Sequence, residues 1–228
     1  MSTGDTTQGL DAGAVERVAA ALGLTPSATQ GEALAAFGRL LLRWNRTYNL
    51  TSVRDPGQVL THHLADCLAA VPALQRWLAA RGGDASARVL DVGSGGALPG
   101  AVWAVMLPAV QVVCVDTVGK KAAFVQQVAA ELRLPNLRGV HARVEALDAR
   151  FDVVACRAFA TLADFVALTR ERLAAGGVWL ALKGRRPDDE IAALPPDIDV
   201  FHVEPLAVPG LDAERCLVWM RPRHTGAA

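Results

Sequence analysis

The sequence has little lysine, little cysteine and no excess of charge of either sign. Lysine and arginine together number 23, as do aspartate and glutamate, so the 228-residue chain carries no formal net charge at pH 7. No global basic field draws it to nucleic acid, and a polyanionic partner has to be met by a local patch. The four cysteines, at 67, 114, 156 and 216, lie far apart and form no CxxC pair. That argues against a zinc site and a disulfide framework, and it fits a reducing, cytoplasmic compartment. No metal site is expected. The N-terminal MSTGDTTQGLDAG lacks the basic start and apolar run of a secretory signal. The longest apolar stretch, Ala97 to Val115, is interrupted by Gly100, Pro108 and Gln111, whereas a membrane span needs about 20 predominantly apolar residues. It reads as a buried helix followed by a buried strand.

What is present is enough to build a core. With 52% hydrophobic and 20% charged residues, the chain is globular rather than disordered or collagenous. Its length allows one large domain or one domain with an appended subdomain.

The pattern divides near residue 85. Before it, apolar residues recur at helical spacing: Ala14, Val15, Val18, Ala21 and Leu22 up to Gly23, then Leu34, Phe37, Leu40, Leu41 and Trp44 after Thr25-Pro26. Asn45 to Pro56 reads as a loop, Gln58 to Leu78 as helix broken at Pro72, and Arg81 to Ser86 as a linker. After it, short apolar runs at 88–92, 111–115, 137–141, 151–156 and 178–182 alternate with helix-length stretches at 100–107, 120–132 and 162–174. Strands buried on both faces read as such runs, and the alternation predicts a doubly wound, mostly parallel α/β sheet. Segments 198–203 and 216–220, with no helix between them, are expected to close it as an antiparallel edge pair. The expected organisation is a helical extension over 1–85, a nucleotide-binding domain over 86–221, and a disordered tail from Pro222. The five tryptophans, Trp44, Trp77, Trp103, Trp179 and Trp219, sit in apolar stripes or strands and are expected in the core.

In an open parallel sheet, ligands bind beyond the carboxyl ends of the strands. There the first strand runs into Asp91-Val92-Gly93-Ser94-Gly95-Gly96-Ala97-Leu98-Pro99-Gly100, a loop whose glycines permit positive φ and close approach of a ligand. The second strand ends at Asp116, placed to accept the ribose hydroxyls of an adenosine. The dinucleotide fingerprint needs glycine where Leu98 stands, which disfavours a nicotinamide or flavin enzyme. Gly119-Lys120-Lys121 lacks the first glycine and the Ser/Thr of a phosphate-binding P-loop. What remains is the Asp-x-Gly-x-Gly loop and second-strand acid of methyltransferases that use S-adenosylmethionine.

Seven blocks carry a more specific likeness: NLTSVRDP at 49–56, HHLADC at 62–67, LDVGSGGALPG at 90–100, VDTVGKKAAFVQQV at 115–128, RVE at 143–145, CRAFA at 156–160 and LKGRRPDDEI at 182–191. In this order they resemble the bacterial small-subunit (16S) ribosomal RNA guanine-N7 methyltransferase family, also called glucose-inhibited division protein B, over roughly residues 30 to 220. The resemblance implies a class I, Rossmann-like fold, S-adenosylmethionine as cofactor, and ribosomal RNA or the assembled small subunit as partner. It places Gly93 and Leu98 in the cofactor pocket with Asp91 and Gly95 of the same loop, Asp116 on the ribose, Val144 and Glu145 beside the adenine, and Arg157 between cofactor and base. Three positions depart from the family's habit: Ala97 stands for glycine, His62 for arginine and Cys67 for serine.

Guanine N7 carries an exposed lone pair and is unprotonated at neutral pH, so its methylation needs alignment rather than a general base. The fourth strand ends Val154-Ala155-Cys156-Arg157-Ala158-Phe159, which matches neither the Asn/Asp-Pro-Pro-aromatic motif of exocyclic-amine enzymes nor the Pro-Cys of cytosine-C5 enzymes. Arg157 and Lys183, at strand ends on the ligand side, are the candidate catalytic residues, with no proton transfer assigned to either. Lys183, Arg185 and Arg186, joined by Arg157, are expected to converge on RNA phosphate, and Arg54 and His63 are further RNA candidates. A monomer is expected. A transfer-RNA or small-molecule methyltransferase, and a non-catalytic nucleotide-binding module, remain the competing readings of the residues themselves.

Overall fold

The computed structural model describes residues 9–82 and 87–223. The first layer is helical: α1 (Ala12–Ala21), α2 (Ala28–Tyr48), α3 (Pro56–Val59), α4 (Asp66–Ala69) and α5 (Val71–Ala80), with a π-helical turn at Leu60–Ala65 between α3 and α4. Each start has a local cause. Asp11 caps α1 through Ala14 N–H, and Ser27 with Gln30 forms a reciprocal capping box on α2. Pro72, which breaks the pattern, sits in the first turn of α5, where its missing N–H costs nothing.

The sheet has seven strands: β1 (Arg88–Val92), β2 (Gln111–Asp116), β3 (Leu137–His141), β4 (Phe151–Arg157), β5 (Leu173–Lys183), β6 (Ile198–Pro205) and β7 (Cys216–Pro222). Their order is β3-β2-β1-β4-β5-β7-β6. The first five pair in parallel, and β7 joins β5 and β6 antiparallel, as the edge pair expected from sequence. The crossovers are α6 (Gly100–Met106), α7 (Gly119–Glu131) and α8 (Leu162–Thr169), and a short α9 (Asp188–Ala192) precedes β6. The apolar stretch at 97–115 is thus helix and buried strand. No helix among the described residues is long and apolar enough to cross a membrane.

Successive strand residues face opposite ways, and the core divides accordingly. Val89 packs in the cluster that also holds Phe37, Leu41, Trp103 and Leu180, which ties the first five helices to one face of the sheet. Leu90 packs with Val92, Phe165 and Trp179 on the other, under α8. Trp103, Trp179 and Trp219 are buried, and Trp44 and Trp77 are partly buried against the first cluster.

Several boundaries differ from expectation, among them the start of β5, which lies at Leu173 and not at 178. The loop expected from Asn45 begins four residues later, because the buried Asn45 side chain bonds Thr51 N–H and Val53 C=O while Asn49, at φ 50°, supplies the left-handed cap. The helix expected to reach Ala174 ends at Thr169, whose hydroxyl donates to Phe165 C=O and accepts from Trp179 Nε1. The expected disordered tail does not begin at Pro222, which ends β7; Arg223 N–H still bonds Asp197 C=O, and 224–228 lie outside the described residues. So do 83–86 of the expected linker.

Candidate active site

The strand order reverses between β1 and β4, and a crevice opens at their carboxyl ends, as such a switch point requires. Gly93 leaves β1 at φ 67°, its N–H bonded to Val115 C=O at 2.9 Å. On the neighbouring strand Ala158, at φ 52°, turns the chain after Arg157 so that Phe159 lies over Gly93. A Cβ on Gly93 would collide with the Phe159 ring. Between them lies a cavity of about 510 Å³, lined among others by Gly93, Asp116, Lys121, Val144, Glu145 and Phe159, a size in the range of small-molecule sites.

Asp116 is fixed at both oxygens. Oδ2 accepts from Gly95 N–H at 3.1 Å and Oδ1 from Val118 N–H at 2.9 Å, with Lys121 Nζ at 3.9 Å. Each oxygen keeps a lone pair for a ligand hydroxyl. Asp91 sits behind the loop, fully buried. Its Oδ2 accepts from Gly100 N–H at 2.9 Å and faces Cys114 Sγ at 3.7 Å, while Oδ1 has no hydrogen-bond partner among the described residues. Burial pushes its carboxyl up to about 7, against the pull of the Gly100 N–H and the Arg157 charge. Leu98 is buried in the core beside Gly96, and Ala97 takes φ 61° with no exposed surface. Of the cofactor candidates, then, Gly93, Asp116, Val144 and Glu145 line one cavity; Gly95 reaches it through Asp116, whereas Asp91, Leu98 and Arg157 are not among its lining residues.

The structure does not bring the four expected cations together. Arg157 points toward the helical layer, where Nη1 donates to Asp66 Oδ2 at 2.9 Å and to His62 C=O, in the π-helical turn, at 3.2 Å. Lys183 is held by Glu190 at 2.8 Å and by Ala160 C=O at 3.2 Å. Arg186 pairs with Asp188 at 2.6 Å, and the exposed Arg185 has no ion pair among the described residues. Arg54 is exposed and bonds Asn49 Oδ1. His63 departs from its expected place facing RNA: it is only 7% exposed, because Thr51 Oγ1 at 2.7 Å and the His62 carbonyl hold its ring inside. Burial and the Arg157 charge lower its pKa to about 4, so it is neutral near pH 7. Cys67, Cys114 and Cys156 are buried thiols pushed up by desolvation, Cys67 to about 12, which leaves none as a nucleophile.

Sequence reasoning missed Asp66, Arg215 and Phe159. Asp66 and Phe159 stand inside the HHLADC and CRAFA blocks, and a carboxylate within an otherwise apolar helical run was the available signal for the first. Arg215 carried none.

Comparison with known proteins gives this geometry a family. A family model described as rRNA small subunit methyltransferase G matches residues 30–218. Two relatives bear the name ribosomal RNA small subunit methyltransferase G. One, from Paracidovorax citrulli, is 62% identical over 217 residues, 92% of this chain and 89% of that protein. The other, from Acidovorax sp. (strain JS42), is 61% identical over 213 residues, 92% of this chain and 94% of its own. Among solved structures, magnesium protoporphyrin IX methyltransferase from Synechocystis PCC 6803 with bound SAM aligns with a TM-score of 0.55 at 14% identity, over 81% of this chain and 97% of that one. The [4+2]-cyclase SpnF aligns at 0.50 and 15%, over 66% and 80%. A methyltransferase and a cyclase sharing this backbone means that the likeness carries the α/β Rossmann-like fold alone. Sequence identity over nearly the whole length carries more: the chain belongs to the rRNA small subunit methyltransferase G family.

Proposed function

We propose that the protein transfers the methyl group of S-adenosylmethionine to N7 of a guanine in small-subunit ribosomal RNA. The observation that carries the reading is the cavity at the switch point, in which a left-handed Gly93 and the fixed carboxylate of Asp116 face one space in a chain of this family. The residues fit the cofactor: Asp116 accepts the ribose hydroxyls, Val144 and Glu145 flank the adenine, and Gly93 admits the ligand to the backbone. When bound, S-adenosylmethionine supplies a sulfonium methyl open to attack by a nucleophile.

The chain's own contribution is alignment, which in well-oriented systems is worth several kcal/mol. Guanine N7 needs no base, and none is offered: the nearby thiols stay protonated, His63 is walled in, and Lys183 is spent on Glu190 and the Ala160 carbonyl. Lys183 thereby holds the 158–160 turn that carries Phe159, a positioning role. Arg157, braced by Asp66, borders the site from β4. The exposed Arg185 and Arg186 meet RNA phosphate, with Arg54 on the helical side. In this reading the helical residues 9–82 form an RNA-facing extension of the cofactor domain, and the protein acts as a monomer in the cytoplasm.

Transfer of tritiated methyl to whole small subunits, naked ribosomal RNA and transfer RNA tests this. Label is expected in small-subunit RNA, and borohydride and aniline treatment should break that RNA at one guanine. Label confined to transfer RNA, or to adenine or cytosine, overturns the assignment.

A further inference from the structure

One buried carboxylate holds two arginines. Asp66 Oδ2 accepts from Arg157 Nη1 at 2.9 Å and Oδ1 from Arg215 Nε at 2.8 Å, and Asp66 is only 4% exposed. Three remote segments meet on it: α4, the end of β4 and the entry to β7. A guanidinium keeps its proton in a protein, so one negative charge faces two permanent positive ones. His63, with Nδ1 at 3.5 Å from Arg157 Nη2, adds no further positive charge while neutral. Glu214 offers Arg215 its backbone carbonyl, at 2.8 Å, rather than its carboxylate.

On its other side Arg215 forms the wall of a second cavity, of about 390 Å³, together with Arg185, Arg186 and Glu214. Arg186 is paired with Asp188 and Arg215 with Asp66, but Arg185 has no ion pair among the described residues and Arg215 shares Asp66 with Arg157, which makes this a place for an anion. Arg215 has Nε and Nη1 engaged, and its remaining N–H groups have no hydrogen-bond partner among the described residues. The cavity lies at the same end of the sheet as the active site, since Cys216 pairs with Lys183 and Leu182 with Arg157. Planar, pre-organised guanidinium forks at this end of the sheet suit a phosphodiester.

We propose that Arg215, with Arg185 and Arg186, forms a phosphate subsite for the substrate RNA, and that Asp66 is the positioning residue tying this subsite to Arg157. The proposal rests on the RNA substrate put forward above. Phosphate seated on Arg215 and the placement of Arg157 then depend on the same carboxylate, so docking of RNA and alignment at β4 are mechanically one event.

The test uses the full chain with Arg215→Ala, Arg215→Lys and Asp66→Asn. Filter binding of small-subunit RNA across a salt series is compared with single-turnover methylation at saturating RNA and calorimetry of S-adenosylmethionine. Arg215→Ala should weaken RNA binding about tenfold and flatten its log–log salt slope by about 0.7, with cofactor affinity unchanged. Arg215→Lys should keep the slope without restoring full affinity, because a lysine does not bridge Asp66 and a phosphate as a fork does. Asp66→Asn should lower both RNA affinity and the single-turnover rate, and Arg157→Ala should cost less in that background than in the wild type. That loss of coupling is a readout a merely structural carboxylate would not move. RNA affinity and slope unchanged in Arg215→Ala overturn the proposal, and so does an undiminished Arg157→Ala effect with Asp66→Asn. Cofactor binding lost in Arg215→Ala overturns it in favour of the cofactor's carboxylate as the anion. If Asp66→Asn does not fold, the two Arg215 variants still decide the subsite. A wild type that methylates no RNA overturns the proposed function itself, whereas normal wild-type methylation with normal RNA binding by Arg215→Ala overturns the subsite alone.

Discussion

Gly93→Ala probes the active site at its tightest point, and its cost separates into two parts. The first is conformational: at φ 67° an alanine costs about 1–2 kcal/mol. Such a cost is bearable here, since Ala97 and Ala158 already sit at φ 61° and 52°. The second is steric, because the new methyl collides with the Phe159 ring. Phe159 is 36% exposed and can swing outward, giving up its edge-to-face contact with Phe165 at 6.4 Å, worth about 0.5–1.5 kcal/mol. The sum is about 1.5–3.5 kcal/mol. In a chain of this length each kcal/mol lowers Tm by about 2–4 °C, so calorimetry should register a drop of about 3–14 °C. In a Phe159→Ala background only the conformational part should remain, which makes the cycle non-additive by the steric part. S-adenosylmethionine affinity should fall in Gly93→Ala, because the displaced ring and the new methyl both border the cavity. Additive stabilities across the cycle, with cofactor affinity intact, would show that Phe159 does not close on Gly93.

Asp116→Ala should weaken S-adenosylmethionine binding in a folded protein, read by calorimetry; unchanged affinity removes Asp116 from the ribose site. The Arg185→Ala/Arg186→Ala pair should weaken RNA binding and flatten its salt dependence by about 0.7 per contact, whereas Arg157→Ala should lower single-turnover rate at saturating RNA; indistinguishable profiles refute the division. Two buried groups should give opposite pH slopes of stability. Asp91, raised from its ordinary 3.8 to about 7, costs stability as pH rises through that window, so Asp91→Asn should gain on the wild type from pH 4 to 7. His63, lowered from 6.5 to about 4, costs stability as pH falls through its window, so His63→Gln should gain in the other direction. Urea titrations at several pH values check both, and parallel curves for wild type and variant count against the corresponding burial.

The strands were legible because parallel strands covered on both faces are continuously apolar, and β1 to β4 fall where the runs do. The glycine loop and Asp116 were legible because both lie in one strand–helix–strand unit, where spacing along the chain fixes spacing in space. What failed was polar residues serving at a distance. Asn45 reads as a helix breaker but binds the turn beyond the helix, and Thr169 reads as mid-helix but ends it by accepting from Trp179 across the core. The destination of Arg157 was hidden for the same reason: its partner Asp66 lies 91 positions away, and Arg215 another 149 from Asp66. Lys183 was expected among phosphate contacts from charge and strand position, which say nothing of Glu190 folding back onto it.

These corrections bear on how a chain with no net charge handles a polyanion. At the active edge most cations come with a partner: Arg157 and Arg215 with Asp66, Lys183 with Glu190, Arg186 with Asp188. Full neutralisation would leave nothing for RNA, yet free cations on long side chains would bind it in many orientations and align none. Sharing one carboxylate between two guanidiniums avoids both outcomes, because Asp66 takes one N–H of each, Nη1 of Arg157 and Nε of Arg215, which fixes both planes and leaves Arg215 Nη2 for a phosphate. Asp116 follows the same logic with opposite charge, its oxygens each fixed by one backbone N–H with a lone pair left over. A reaction whose nucleophile needs no base gains from groups that do not move, and strained turns at Ala97 and Ala158 are tolerable where the surroundings dictate the conformation. The partners read as neutralisation in a charge count are, in this geometry, what makes the remaining donors and acceptors directional.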